Sequence, residues 1–302
     1  MSAPTGEQFV ITRGTARAVI TEVAAALREF SVGGIDLTEP YAEDSTPPFA
    51  NGIVLMPWPN RVEDGLWHLD GKRQQLEITE VDRHNSLHGL LRFSPYRLVE
   101  RSGHAVALSA AVFPQHGYPF HLETTVRYEL VDDGLAVTHQ VTNVGTEKAP
   151  VAIGTHPFLT IGDVPSEDLV LTVHASTYFE VDARLNPTAE SPVDGTRYDL
   201  RRGSVVADQF FDTAFGGVVT VNGVSATLRA PDGREVRLLQ DENHGYVQVF
   251  TTPRFPKNGG LGVAVAVEPM TAPPNALNSG LGLRWVEPGE TWSVSWGIQH
   301  SL

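Results

Sequence analysis

The amino-acid sequence predicts an all-β protein built as a large antiparallel β-sandwich or barrel. Three observations carry that prediction: hairpin-type turn dipeptides recur at short intervals, the segments between them alternate apolar and polar residues, and helical periodicity is nearly absent. In chain order, residues 21–30 have a helix-favouring composition, but they lie between β-like residues 16–20 and 31–34 and are read as strand. Asp70-Gly71, Asp133-Gly134, Asn222-Gly223 and Asp232-Gly233 each read as the turn of a hairpin. Before the second turn, residues 126–130 alternate. After it Leu135, Val137, His139 and Val141 share one face, with mostly polar residues on the other. Residues 163–168 suit a short helical turn, and residues 218–221, 226–228 and 247–250 read as further short strands. The closing segment, residues 292–298, alternates large apolar with small residues. No repeat, low-complexity tract or long linker interrupts the chain, so residues 1–302 are expected to form a single domain.

Composition narrows the function. Lys plus Arg number 22 against 36 Asp plus Glu, a formal net charge of −14, which argues against nucleic acid or an anionic membrane as the main partner. With no cysteine, a disulfide scaffold, a thiolate nucleophile and a Cys-ligated metal are excluded. Residues 1–6 are polar and carry no apolar leader, and no apolar run reaches the roughly 20 residues a spanning helix needs; a cytoplasmic protein is the expectation.

The most informative segment is Val263-Ala264-Val265-Ala266-Val267-Glu268-Pro269-Met270-Thr271. The apolar run reads as a buried strand that delivers one carboxylate, and Pro269, lacking an N–H, is expected to stop the ladder. Glu268 is then either a strand-end carboxylate reaching water or a base on a rigid support. Four other segments join polar side chains to tight turns. Pro57-Trp58-Pro59-Asn60-Arg61-Val62 offers a guanidinium fork. Asn85-Ser86-Leu87-His88-Gly89 places an imidazole beside a glycine, and Pro157 fixes an extended backbone at His156. Asp212, flanked by Phe211 and Phe215, is a hydroxyl acceptor or a turn-starting residue. Two His and one Glu also suit a zinc site, but the supporting His-Glu-x-x-His spacing is missing, and no nucleotide-binding loop or Gly-x-Ser-x-Gly elbow occurs. No metal and no cofactor is therefore expected.

In this order the segments resemble the aldose 1-epimerase (galactose mutarotase) family: Asn60-Arg61-Val62, Asn85-x-Leu87-His88-Gly89, His156-Pro157-Phe158, Asp212-x-x-Phe215 and Glu268-Pro269-Met270-Thr271-x-Pro273-Pro274-Asn275. The resemblance spans most of the chain. It implies a galactose mutarotase-like supersandwich with a carbohydrate cleft. It also implies interconversion of the α and β anomers of a free hexose such as glucose or galactose, with Glu268 as general base, His156 as general acid and His88 polarising the ring oxygen. Arg61, Asp212 and Asn60 would hold the monosaccharide, and the protein would be a monomer or homodimer. Ring opening removes the C1 hydroxyl proton while the ring oxygen gains one, so a base and an acid are expected on opposite sides of the anomeric carbon. The chain departs from the family at Leu90, where many members carry a second Gly, and at Leu159, where many carry another aromatic; both loops are expected to line the cleft. Arg92 is similar to an arginine of the related hexose-6-phosphate epimerases, which makes a phosphorylated hexose the alternative substrate. A non-catalytic sugar-binding protein of the same fold is the alternative of a different class.

Overall fold

The computed structural model describes residues 3–257 and 259–302; Met1 and Ser2, the first two residues of the polar opening, and Asn258 lie outside the described residues. The all-β expectation holds. The two large sheets are antiparallel, one of nine strands and one of eight, beside a four-stranded sheet formed by the first strands, Gln8–Arg13 to Ile35–Asp36. The nine-stranded sheet is centred on Leu122–Val131, Gly134–Asn143 and Thr291–Ser301, and the eight-stranded sheet on Tyr246–Lys257 and Gly260–Met270. Their inward faces merge in one hydrophobic cluster, with Tyr128, Val137, Leu238 and Ile298 from the first sheet and Phe215, Val249, Val265 and Val267 from the second. Among the described residues no helix is long and apolar enough to cross a membrane.

Period-two alternation explains the local sequence. In Gly134–Asn143 the face carrying Leu135, Val137, His139 and Val141 is buried, as expected. In Gly260–Met270, Val265 and Val267 enter the core, while Ala264 and Ala266 turn to the other face beneath Phe158 and Phe255. Both faces are therefore covered. The β-branched residues fill the inter-sheet layer, and each fully buried valine contributes about 1.5–3 kcal/mol. The alanines leave room for Phe158 and Phe255, against which the cleft residue Phe250 packs.

Four expectations need correction. Residues 21–30 are not one strand: Ala16–Thr21 and Leu27–Val32 are paired strands, and Ala24 and Ala25 reverse the chain with φ of 60° and 45°. The reversal is held by hydrogen bonds from Thr21 N to Ala26 O and from Ala24 N to Ser94 O. Gly134 is not a turn residue, because the two-residue loop is Asp132-Asp133 and Gly134 already pairs with Val131. Its requirement for glycine comes instead from close approach, since a Cβ there would stand 1.9 Å from the Ile298 carbonyl oxygen. Residues 218–221 form no strand, only a bridge from Val221 to Val224 around Asn222-Gly223. Val219 and Val221 are 64% and 56% exposed, so there is no face for a strand to bury. Finally, Pro269 does not stop its ladder; the strand runs to Met270. The amides of Val267 and Thr271 donate to the carbonyls of Pro157 and Ile153, on the edge away from the Tyr246–Lys257 strand. By period two the Pro269 nitrogen faces that same edge, so the pairing with Tyr246–Lys257 loses no donor.

Candidate active site

The eight-stranded sheet sets out the site by register. Gln248 lies opposite Glu268, and Ala214 lies opposite Gln248 on the next strand. Asp212, two residues earlier than Ala214, stands diagonal to Gln248 and accepts a hydrogen bond from its Nε2 at 2.7 Å. On the other side of Glu268, Gly154 pairs with Met270 and Phe158 with Ala266. The interrupted stretch between those two pairings carries His156 to the level of Glu268. Its Nε2 meets Glu268 Oε1 at 3.2 Å.

A separate two-stranded ribbon, Arg61–Glu63 against Asn85–Leu87, brings the remaining groups. At its end Asn60 and His88 adopt left-handed backbone conformations (φ 56° and 63°) and interlock. His88 N donates to Asn60 O at 2.9 Å, and Asn60 N donates to His88 Nδ1 at 3.2 Å. Gly89 follows with φ 73°, and a Cβ there would stand 2.1 Å from the Met56 carbonyl oxygen. Left-handed backbone at a histidine is costly and marks a position held by its surroundings. Because Nδ1 accepts from an amide, a neutral His88 carries its proton on Nε2. Asn60 Oδ1 accepts from Arg61 N at 2.8 Å, so this side chain supports the turn.

These groups line a cleft of about 300 Å³, together with Phe49, Phe250, Leu87, Arg92 and Phe93. All six residues singled out for the site, Asn60, Arg61, His88, His156, Asp212 and Glu268, come together there. Leu90 and Leu159 do not line it; Leu90 packs against the core and Leu159 lies in it. Glu268 does not reach water: it is 1% exposed, and among the described residues its Oε2 has no hydrogen-bond partner. Burial pushes its pKa well above the usual carboxylate range, Asp212 adds to this, and Arg61 partly opposes it. Burial likewise depresses the imidazoles: His156 falls to about 4, and His88 falls well below its usual value, helped by His156, Arg61 and Arg92.

The residues expected as base and acid, Glu268 and His156, do not stand on opposite sides of the cleft but are in direct contact. The chemistry still permits it. The hydroxyl oxygen that loses a proton and the ring oxygen that gains one are bonded to the same carbon, so adjacent groups can address both.

Sequence reasoning missed Gln248, Glu80, Phe49 and Phe250. Glu80 binds Arg61 in a two-pronged contact, accepting from Nε at 2.9 Å and from Nη2 at 3.0 Å. Phe49 is held at φ 49° next to Ala50 at φ 62°, with its ring 6.0 Å from that of Phe250. No motif marks either ring; the signal is the consecutive left-handed backbone, which is visible only in the fold.

Comparison with known proteins agrees with the geometry. The sequence profile of the family described as aldose 1-epimerase matches residues 7–299. The chain is 32% identical over 296 residues to the uncharacterized protein YihR of Escherichia coli K12, covering 97% of this chain and 93% of that one. It is 32% identical over 158 residues to human galactose mutarotase, covering 50% of this chain and 45% of that one. The fold matches the GalM/aldose epimerase homologue of C. elegans with a TM-score of 0.85, at 18% identity over 98% of both chains. It also matches galactose 1-epimerase of Lactobacillus acidophilus with a TM-score of 0.80, at 18% identity over 97% of this chain and 94% of that one.

Proposed function

The chain belongs to the aldose 1-epimerase family, and from that premise we propose that it is a mutarotase for a free hexose such as glucose or galactose, with residues 1–302 acting as one domain. The observation that carries the reading is the buried His156–Glu268 contact at 3.2 Å, flanked by the hydroxyl-binding groups Arg61 and Asp212.

The pair holds one labile proton. With that proton on His156, Glu268 is the base and His156 the acid. Glu268 takes the proton of the C1 hydroxyl as His156 protonates the ring oxygen, the C1–O5 bond breaks, and an open-chain aldehyde forms. The proton now rests on Glu268 and none remains on His156 Nε2. Rotation about C1–C2 presents the other carbonyl face, the C5 hydroxyl returns its proton to His156 as it attacks, and Glu268 protonates the carbonyl oxygen. The two proton distributions of the pair are thus the two ends of one cycle, and no cofactor enters it. Burial of both groups favours the uncharged distribution at rest, with the proton on Glu268; the 3.2 Å contact is short enough for it to cross directly. Neutral His88 would donate from Nε2 to the ring oxygen or its neighbour, while Asp212 and Gln248 accept and donate to hydroxyls. Each positioned transfer supplies on the order of 10²–10⁴ in rate.

A phosphorylated hexose is supported by one observation: Arg92 lines the cleft with, among the described residues, a single side-chain hydrogen bond, from Nη1 to Leu87 O at 3.3 Å, and lies 4.6 Å over the Phe93 ring. The test is exchange NMR of the anomeric protons of D-glucose, D-galactose and D-glucose 6-phosphate at equilibrium. Enhanced exchange with a free hexose supports the main reading. Enhancement confined to the phosphate moves the assignment to Arg92 and the alternative substrate, and binding without exchange makes the protein a sugar-binding module.

A further inference from the structure

Glu80 lies outside the cleft and touches none of the reacting positions, yet both of its carboxylate oxygens hold Arg61, a cation of the cleft. Besides the two-pronged contact with Arg61, its Oε1 accepts from Arg83 Nη1 at 3.1 Å and its Oε2 from Asn85 Nδ2 at 3.4 Å. The loop that carries it is closed by backbone bonds from Glu80 N to Asn85 O at 2.9 Å and from Asn85 N to Glu80 O at 3.2 Å. Arg61 and Glu80 side chains are 9% and 12% exposed, so the pair is largely shielded from solvent screening. From Arg61 the contacts continue inward. Nη2 reaches Asp212 Oδ2 at 3.4 Å, Asp212 Oδ1 holds Gln248, and Gln248 faces Glu268 across the strands.

We propose that Glu80 is a positioning residue for the sugar reaction: it fixes the direction of the Arg61 guanidinium and balances its charge before that charge reaches the His156–Glu268 pair. The proposal rests on the mutarotase reading for its kinetic part only. The geometry gives Arg61 two negative neighbours, Glu80 behind and Asp212 in front, and a guanidinium without the first would turn toward the second and leave its sugar-facing direction. The charged and titratable groups facing the pair are Arg61, Asp212 and His88, with Arg92 behind His88. Of these, Arg61 opposes protonation of both His156 and Glu268. Without Glu80 that opposition strengthens, so both groups release protons at lower pH.

The test is Glu80→Gln in the full chain, read by histidine-selective NMR titration and by the dependence of mutarotation on sugar concentration and pH. We expect the His156 midpoint and the acid limb of the rate to move to lower pH, and KM to rise about tenfold with a smaller change in kcat. Glu80→Asp keeps the charge and shortens the reach, so it should raise KM while leaving the midpoint in place. This second variant decides the matter if Glu80→Gln does not fold. A folded Glu80→Gln with the wild-type KM and His156 midpoint overturns the proposal, as does a Glu80→Asp with the wild-type KM. Should the wild-type protein accelerate no sugar, the functional reading fails while the NMR titration still decides the role of Glu80.

Discussion

The molecule buries a glutamate in each of two clefts, and only one of them is arranged for proton transfer. In the larger cleft, of about 590 Å³, Glu39 is 5% exposed and its Oε1 accepts from Lys257 Nζ and from Ser166 Oγ. In the smaller cleft, of about 300 Å³, Glu268 is 1% exposed and, among the described residues, its carboxyl group meets the imidazole of His156 alone, with one oxygen unpartnered. The first charge is neutralised where it stands. The second is left short of partners, so its proton affinity is raised and a substrate hydroxyl can complete its coordination. Volume does not single out the proposed active site; the buried carboxyl group left short of partners does.

The comparison breaks most visibly under paired substitutions. Glu268→Gln should lower kcat/KM by on the order of 10²–10⁴, and Glu39→Gln should leave it within about threefold. Equal losses in stopped-flow polarimetry would erase the distinction between the clefts. His156→Asn should cost on the order of 10² in kcat, since it removes one of the two transfers. The pH profile sharpens the same point. The competent pair holds one proton, and a second one binds to His156 only as pH falls to about 4, so the rate should stay level through neutrality and fall near that value. At the alkaline end, loss of the proton that Glu268 retains above its usual range removes the acid. A rate that halves near pH 6.5 would place an ordinary histidine in control. The smallest effect is on stability. Glu268→Gln removes the cost of holding a buried acid protonated at neutral pH, and should raise the unfolding free energy by about 1–2 kcal/mol. Glu39→Gln, which strands a lysine able to reach water, should lower it by a similar amount in urea denaturation.

The fold class was legible because turn chemistry and period-two alternation are local signals. Segments misread from sequence were those where a local signal met a tertiary one. Ala24 and Ala25 reverse the chain without glycine, Gly134 is required by a neighbouring strand, and Pro269 sits where its missing donor faces the other edge. His156 and His88 were found because each interrupts regular structure beside a proline or glycine, and Glu268 because it is the one charge in an otherwise apolar run. Gln248 is ordinary in sequence and becomes visible only through strand register. Extending the Lys257–Gly260 pairing along the two strands would put Gln248 opposite Pro269; the bulge between Thr252 and Phe255 brings it opposite Glu268 instead. Glu80 had no signal at all, because its role depends on a ribbon that carries it behind Arg61.

One buried carboxyl group, sharing a single proton with the imidazole it touches, carries the chemistry in this reading. The most direct measurement is polarimetry of freshly dissolved α-D-glucose and α-D-galactose with the wild-type protein, Glu268→Gln and Glu39→Gln side by side. Relaxation should be accelerated with the wild-type protein and with Glu39→Gln, and the acceleration should fall by on the order of 10²–10⁴ with Glu268→Gln. Undiminished acceleration in Glu268→Gln would contradict this reading.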